Sequence, residues 1–320
     1  MSGSSQQPRR STWTAIGESG SLAAIRFGAW VHRAFGRRIL LALLKVAALY
    51  FSVRRPRVRS ASRDYLDTLY ASPEGRAALG RPPDRRSTVR HLYEFAISLL
   101  DRLVVWSGGV DQIEIGYEGE DAVVRCMEEG RGALLIGSHL GSFDMLRVLA
   151  ARYGVRVNVV MYTRHAARIN SFFEALDPEC GARVIELDPG STRTVFDIKA
   201  CIERGEFVAI LADRVAAGGR ERSARATFLG RPARFPLGPF LLAGALRCPA
   251  LMVVCVRTGE ASYFASIRRL GEVSLRSPRP EREKQARDLL ERYVSWLESD
   301  CRRAPYQWFN FFDFWTGPGE

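Results

Sequence analysis

Between Ile113 and Asp213 short apolar runs alternate with amphipathic stretches, and few folds accept that pattern. Ile113–Tyr117, Ala133–Ile136, Arg156–Tyr162, Ala182–Leu187 and Phe207–Asp213 read as strands, with helices over Gly119–Glu129, from Ser142 onward, over Ala166–Leu176 and over Ser191–Arg204. A strand–helix repeat with short loops implies an α/β fold with a mainly parallel central sheet covered by helices. Residues 214–235, rich in arginine and glycine, break the rhythm. Pro236–Leu246 then reads as an apolar helix, Leu251–Arg257 and Tyr263–Leu270 as a closing strand pair, and Glu281–Arg303 as a long charged helix with Leu289, Leu290, Tyr293, Val294 and Leu297 inward; earlier in the chain His91–Trp106 reads as an amphipathic helix with Leu92, Phe95, Leu99, Leu103 and Trp106 on one face.

Upstream the chain has a different character. Residues 1–12 are polar and expected to form a disordered tail. Residues 13–59 read as an N-terminal amphipathic, membrane-facing helical extension, and residues 60–320 as the main domain. Leu22, Ile25, Trp30 and Phe35 interleave with Arg26, Arg33, Arg37 and Arg38, and Ile39–Val53 is the most hydrophobic stretch. Fifteen helical residues reach about 22 Å, short of a hydrocarbon core of about 30 Å. With arginines at both ends, this stretch suits a helix lying in a membrane interface, the alternative being a buried core helix.

The net charge of +12 favours anionic partners. The chain lacks zinc-finger spacing, an RNA-binding aromatic signature and a helix-turn-helix pattern, so no nucleic-acid partner is expected. The six cysteines are scattered with no close pair, and His32, His91 and His165 lack metal-ligand spacing, so neither a metal nor another cofactor is implied. The tail Pro305–Trp315 is unusually aromatic and is expected to pack on the body.

The chemistry centres on Gly132–Arg147. His139 sits where the apolar run Ala133–Ile136 gives way to Gly141 and Ser142, with Ser142 placed to cap a helix carrying Phe143, Leu146 and Leu149. Asp144 follows five residues after His139, so a turn at the helix start would bring its carboxylate to the imidazole. A carboxylate-oriented imidazole is a general base for a hydroxyl. The helix N-terminus, through the amides near Gly141 and Ser142, would supply oxyanion donors. A core histidine beside a first-turn carboxylate is the plain alternative and stays open at this point.

With its neighbours this segment resembles the His-x4-Asp/Glu acyltransferases, and among them the late acyltransferases of lipid A biosynthesis. The features lie in order: the apolar N-terminal helix, His139 to Asp144, Arg164 after the next strand, Asp213-Arg214 closing a later one, Phe228-Leu229-Gly230, Pro236-Leu237-Gly238 and Pro305-Tyr306-Gln307-Trp308. The aromatic run Phe311–Trp315 and the segment Met161–Asn170 depart from that pattern and resemble the branch associated with aryl polyene pathways.

The resemblance implies an O-acyltransferase with His139 as base and Asp144 orienting it. The donor would be an acyl thioester on acyl carrier protein and the acceptor a lipid or glycolipid hydroxyl. It also implies attachment, peripheral or monotopic, to the cytoplasmic face of the bacterial inner membrane. Arg164, Arg214, Arg231 and Arg234 would grip phosphate, Asp213 would sit at the active strand edge, Gly230 would lie among the substrate-binding residues, and Phe143, Phe228, Phe235 and the aromatic tail would border an acyl groove. A non-catalytic lipid-binding or scaffold protein of the same fold, and an acyl-thioester hydrolase, are the alternatives.

Overall fold

The computed structural model describes residues 22–106, 109–161, 184–186, 192–215, 222–273 and 277–315. A seven-stranded sheet lies at the centre, in the order β1-β9-β8-β2-β5-β3-β4. Its strands are β1 (Glu114–Glu118), β2 (Leu134–Gly137), β3 (Val157–Met161), β4 (Val184–Glu186), β5 (Phe207–Leu211), β8 (Ala250–Arg257) and β9 (Ser262–Gly271). Every neighbouring pair is parallel except β8–β9. All four residues of β2 are buried, as expected of a central strand covered on both faces.

Helices α5 (Asp121–Glu128) and α6 (Phe143–Arg152) lie on one side; Met145 and Leu149 of α6 pack with Cys255, Tyr263 and Ala265 of β8 and β9. On the other side, α7 (Arg193–Glu203), α8 (Gly238–Leu246) and α9 (Arg279–Arg303) share one large core with Leu134, Ile136 and Val208. The α9 face that the sequence predicts, Leu289, Leu290, Tyr293, Val294 and Leu297, is buried there.

Two sequence expectations are corrected. Residues 214–235 are not simply irregular: β6 (Ser223–Phe228) and β7 (Arg231–Pro236) form an antiparallel hairpin turned by Leu229 and Gly230, both at positive φ. Period-two alternation underlies it, with Ala224, Phe228, Ala233 and Phe235 inward and Arg225 and Arg234 outward. The helix expected over His91–Trp106 starts earlier, as α4 (Arg85–Trp106), and buries His91, Leu100, Asp101, Val104 and Val105 while Leu99 faces solvent.

The N-terminal helix α1 (Leu22–Arg54) is broken at Gly36, whose φ is +77. Leu40 packs on Leu100 and Val104 of α4, and Arg37 forms an ion pair with the buried Asp101 at 2.7 Å. Ile39, Leu43, Val46, Tyr50 and Val53 remain exposed on the opposite side. Spaced by four and three residues, they form one continuous stripe. Among the described residues no helix is long and apolar enough to cross a membrane. α2 (Pro56–Tyr70) and α3 (Pro73–Leu79) complete the helical layer around the aromatic tail. The tail packs on the body as expected: Tyr306, Trp308, Phe309 and Phe314 are buried. The tail 1–12, Arg164 and the helix expected over 166–176 lie outside the described residues.

Candidate active site

The sheet register builds the site. β2 and β5 pair in parallel with Leu134 opposite Val208 and Gly137 opposite Leu211, a constant offset of 74. Continued two residues beyond the strand ends, that register sets His139 opposite Asp213. The two meet there: His139 Nδ1 lies 2.7 Å from Asp213 Oδ1, and the His139 backbone N–H donates to Asp213 Oδ2 at 2.9 Å.

Asp213 is fully buried, and among the described residues its hydrogen-bond partners are donors. Besides His139, the Trp308 indole N–H (3.0 Å) and the Asn310 amide (3.1 Å) reach Oδ2. Burial pushes its carboxyl pKa up, but the His139 ring and its hydrogen bonds, with the Arg214 guanidinium, prevail and hold it well below the usual carboxylate range. Burial, reinforced by Arg214 and opposed by Asp213, lowers the His139 pKa. The imidazole is therefore neutral at pH 7, and an ionised Asp213 keeps its proton on Nδ1. With 27% of the His139 side chain exposed, Nε2 is the nitrogen left for a reactant.

The expected partner of His139 is thereby corrected. Asp144 makes no hydrogen bond to the imidazole; it pairs with Arg102 Nε of α4 at 2.5 Å and with Arg147 at 4.0 Å. The loop between β2 and α6 explains why. Leu140 bridges to Trp308, and Gly141 turns at φ +73 with its Cα so close to β8 that a Cβ would stand 2.0 Å from the Cys255 carbonyl oxygen. The chain is pinned to β8 and to the tail before α6 begins, and Asp144, in the first turn of α6, is held by α4.

The same pinning removes two expected oxyanion donors. The Gly141 N–H donates to the Gln307 carbonyl (2.9 Å) and the Ser142 N–H to the Cys255 carbonyl (2.7 Å). Ser142 occupies the N-cap position with no side-chain cap bond, and its buried hydroxyl has no hydrogen-bond partner among the described residues.

Of the arginines expected to converge, the described residues place one at the site. Arg214 donates to Asn310 Oδ1 (2.5 Å) and to the Phe309 carbonyl (2.9 Å), and burial, against the pull of Asp213, lowers its pKa to about 10, so it stays charged at pH 7. Arg231 binds Asp64 and Thr68 of α2 and stacks on Trp315, and Arg234 binds Ser223 across the hairpin. Phe228 and Phe235 are fully buried core residues, and Gly230 serves the hairpin turn. An apolar cavity lined by neither His139 nor Asp213 lies between α5, α6 and the sheet. Phe143 and Leu146 form part of its wall with Val124, Met127, Tyr153 and Val253.

The roles of Trp308 and Asn310 as donors to Asp213 and the pairing of Asp213 with His139 escaped sequence reasoning; only the Pro305–Trp308 segment and the position of Asp213 at a strand end pointed that way. No group of three or more His, Cys, Asp or Glu residues that could hold a metal occurs among the described residues.

The family model described as bacterial lipid A biosynthesis acyltransferase matches residues 82–316, a span containing His139, Asp213 and the tail. The match addresses the family as a whole and does not single out the aryl polyene branch. No curated protein matches the chain.

Proposed function

Because the chain belongs to the bacterial lipid A biosynthesis acyltransferase family, we propose that it is a membrane-associated O-acyltransferase, moving an acyl group from a carrier thioester to a hydroxyl of a lipid or glycolipid. The observation that carries the mechanism is the contact of His139 Nδ1 with the buried carboxylate of Asp213 at 2.7 Å. His139 Nε2 takes the acceptor hydroxyl proton as the oxygen attacks the thioester carbonyl carbon. Asp213 stabilises the imidazolium that forms. The tetrahedral adduct collapses with cleavage of the C–S bond, and the imidazolium returns the proton to the departing thiolate. The positive end of α6, with the N–H groups of its first turn, suits the oxyanion. Asp144 holds α4 against α6 and does not orient the base.

The net charge of +12 suits acyl carrier protein, an acidic partner, as the donor and an anionic leaflet as the setting. The exposed α1 stripe, bordered by the exposed Arg38, Arg54, Arg55 and Arg57, is amphipathic in the sense of an interfacial anchor on the cytoplasmic side of the inner membrane.

The test is acyl transfer by the purified full chain in detergent, from labelled acyl-carrier protein to a bacterial lipid extract, read by mass spectrometry. A new ester-linked acyl chain that is lost with His139→Ala supports the reading. Free acid without lipid acylation makes the protein a thioesterase, and transfer that persists in His139→Ala removes the general-base assignment.

A further inference from the structure

Two of the donors on Asp213, Trp308 Nε1 and Asn310 Nδ2, come from a stretch of tail that belongs to no strand, so something else must fix it. Gln307 anchors one end, its side-chain amide accepting from the Arg257 N–H and donating to the Arg257 carbonyl, both at 2.8 Å. The next peptide unit is gripped on both sides. Its N–H, from Phe309, donates to the His139 carbonyl at 2.9 Å, and its C=O, from Trp308, accepts from the Asn310 N–H and meets His91 Nε2, both at 2.9 Å. Because a peptide unit is planar, gripping both groups fixes its orientation, and with it the direction from which Trp308 and Asn310 reach Asp213.

His91 is built for this contact. It is fully buried, Tyr65, Phe309 and Phe311 pack around its ring, and its Nδ1 lies 2.9 Å from Ser62 Oγ. A carbonyl only accepts, so the His91 proton must sit on Nε2, which leaves Nδ1 to accept from the Ser62 hydroxyl. Burial lowers its pKa to about 4, so this neutral form persists across the working range.

From this geometry we infer that His91 is a positioning residue for the His139–Asp213 pair, acting through the Trp308–Phe309 peptide to hold the tail donors on Asp213. The inference rests on the reading of His139 as the base. Removing the His91 donor leaves that carbonyl to the Asn310 N–H alone, lets the peptide tilt, and so loosens the Trp308 and Asn310 hydrogen bonds that hold Asp213 against the imidazole. Among the described residues Asp213 and Arg214 are the charged groups facing His139, and of these only Asp213 raises its pKa. A loosened Asp213 must therefore lower the His139 pKa further.

Three variants test this. His91→Leu removes the donor, Trp308→Phe removes the indole N–H and keeps an aromatic ring, and His91→Gln retains an N–H able to reach the Trp308 carbonyl. With the full-length protein labelled at its histidines, NMR titration assigned through His139→Ala reads the His139 pKa without any turnover. His91→Leu and Trp308→Phe should shift that titration to lower pH and reduce kcat about tenfold, the loss of one hydrogen bond to a charged group, with KM within twofold. His91→Gln should restore both. A His139 titration unchanged in Trp308→Phe and in whichever His91 variants fold would overturn the inference and leave His91 a packing residue. Failure of the acyltransfer reading shows separately, as transfer that survives His139→Ala.

Discussion

Asp213→Asn is the sharpest perturbation of this site. The carboxylate accepts from His139 Nδ1 through Oδ1 and from three N–H groups through Oδ2. An amide replaces one of those acceptor oxygens with a donor. Facing its oxygen to the three N–H groups turns its NH₂ toward His139, so Nδ1 must accept and the ring proton moves to Nε2, where it blocks the base. The opposite orientation sets an NH₂ against three donors and is worse. The imidazolium also loses its counter-charge: at roughly 4 Å between charge centres and an effective dielectric constant near 20, that is about 4 kcal/mol, or roughly a thousandfold in rate. The analogous substitution in a Ser-His-Asp triad costs about 10⁴ in kcat. We therefore expect kcat to fall by about 10³ to 10⁴ with KM little changed, in initial-rate assays of acyl transfer from acyl-carrier protein. Asp144→Asn is the matched control: it breaks the Arg102 pair and should cost less than about tenfold in kcat, appearing instead as lost stability of about 1–3 kcal/mol. An Asp213→Asn enzyme within tenfold of wild type, or an Asp144→Asn enzyme as inactive as His139→Ala, would refute the assignment.

Since burial and Arg214 keep His139 neutral to lower pH than a free imidazole, the acid limb of kcat/KM should have its midpoint below the free-imidazole value of about 6.5. An acid limb centred above pH 7 contradicts that. His91 yields a stability prediction: its folded pKa of about 4 lies below the unfolded value of about 6.5, so its contribution is complete above the unfolded value and is lost as pH falls toward the folded one. Denaturant unfolding should show about 2 kcal/mol lost from this source between pH 7 and pH 5, a component missing from His91→Gln. Gly141→Ala, driving a Cβ to 2.0 Å from the Cys255 oxygen, should destabilise by at least about 2 kcal/mol, whereas Gly130→Ala, at positive φ in open space, should cost about 1 kcal/mol; equal melting temperatures would contradict the close approach. Leu43→Gln, Val46→Gln and Tyr50→Gln together should weaken cosedimentation with anionic vesicles about a hundredfold, at about 1 kcal/mol for each half-exposed side chain, without lowering the melting temperature; full retention would place the attachment elsewhere.

What could be read from the chain and what could not divide along a physical line. Strand and helix positions follow from periodicities carried by adjacent residues, so the continuous apolar run before His139 marked a central strand and the spacing of Leu289, Tyr293 and Leu297 marked an inward face. The partner of His139 follows instead from strand order and register, which no local pattern encodes. Asp144 is near in the chain but lies beyond a loop whose Gly141 is fixed against β8, while Asp213, 74 residues on, is near because β5 lies beside β2. The two Oδ2 donors from the tail are more distant still, and they depend on His91, which in sequence is one polar residue within an amphipathic helix. The arginines show the converse error. Arg214, Arg231 and Arg234 share chemistry and proximity in sequence, yet the unrecognised β6–β7 hairpin carries Arg231 to α2 and Arg234 to the rim, leaving Arg214 beside the base. A motif can thus locate a reactive group correctly and still misassign its partner, because the carboxylate that sets the pKa and tautomer of that group is chosen by the sheet.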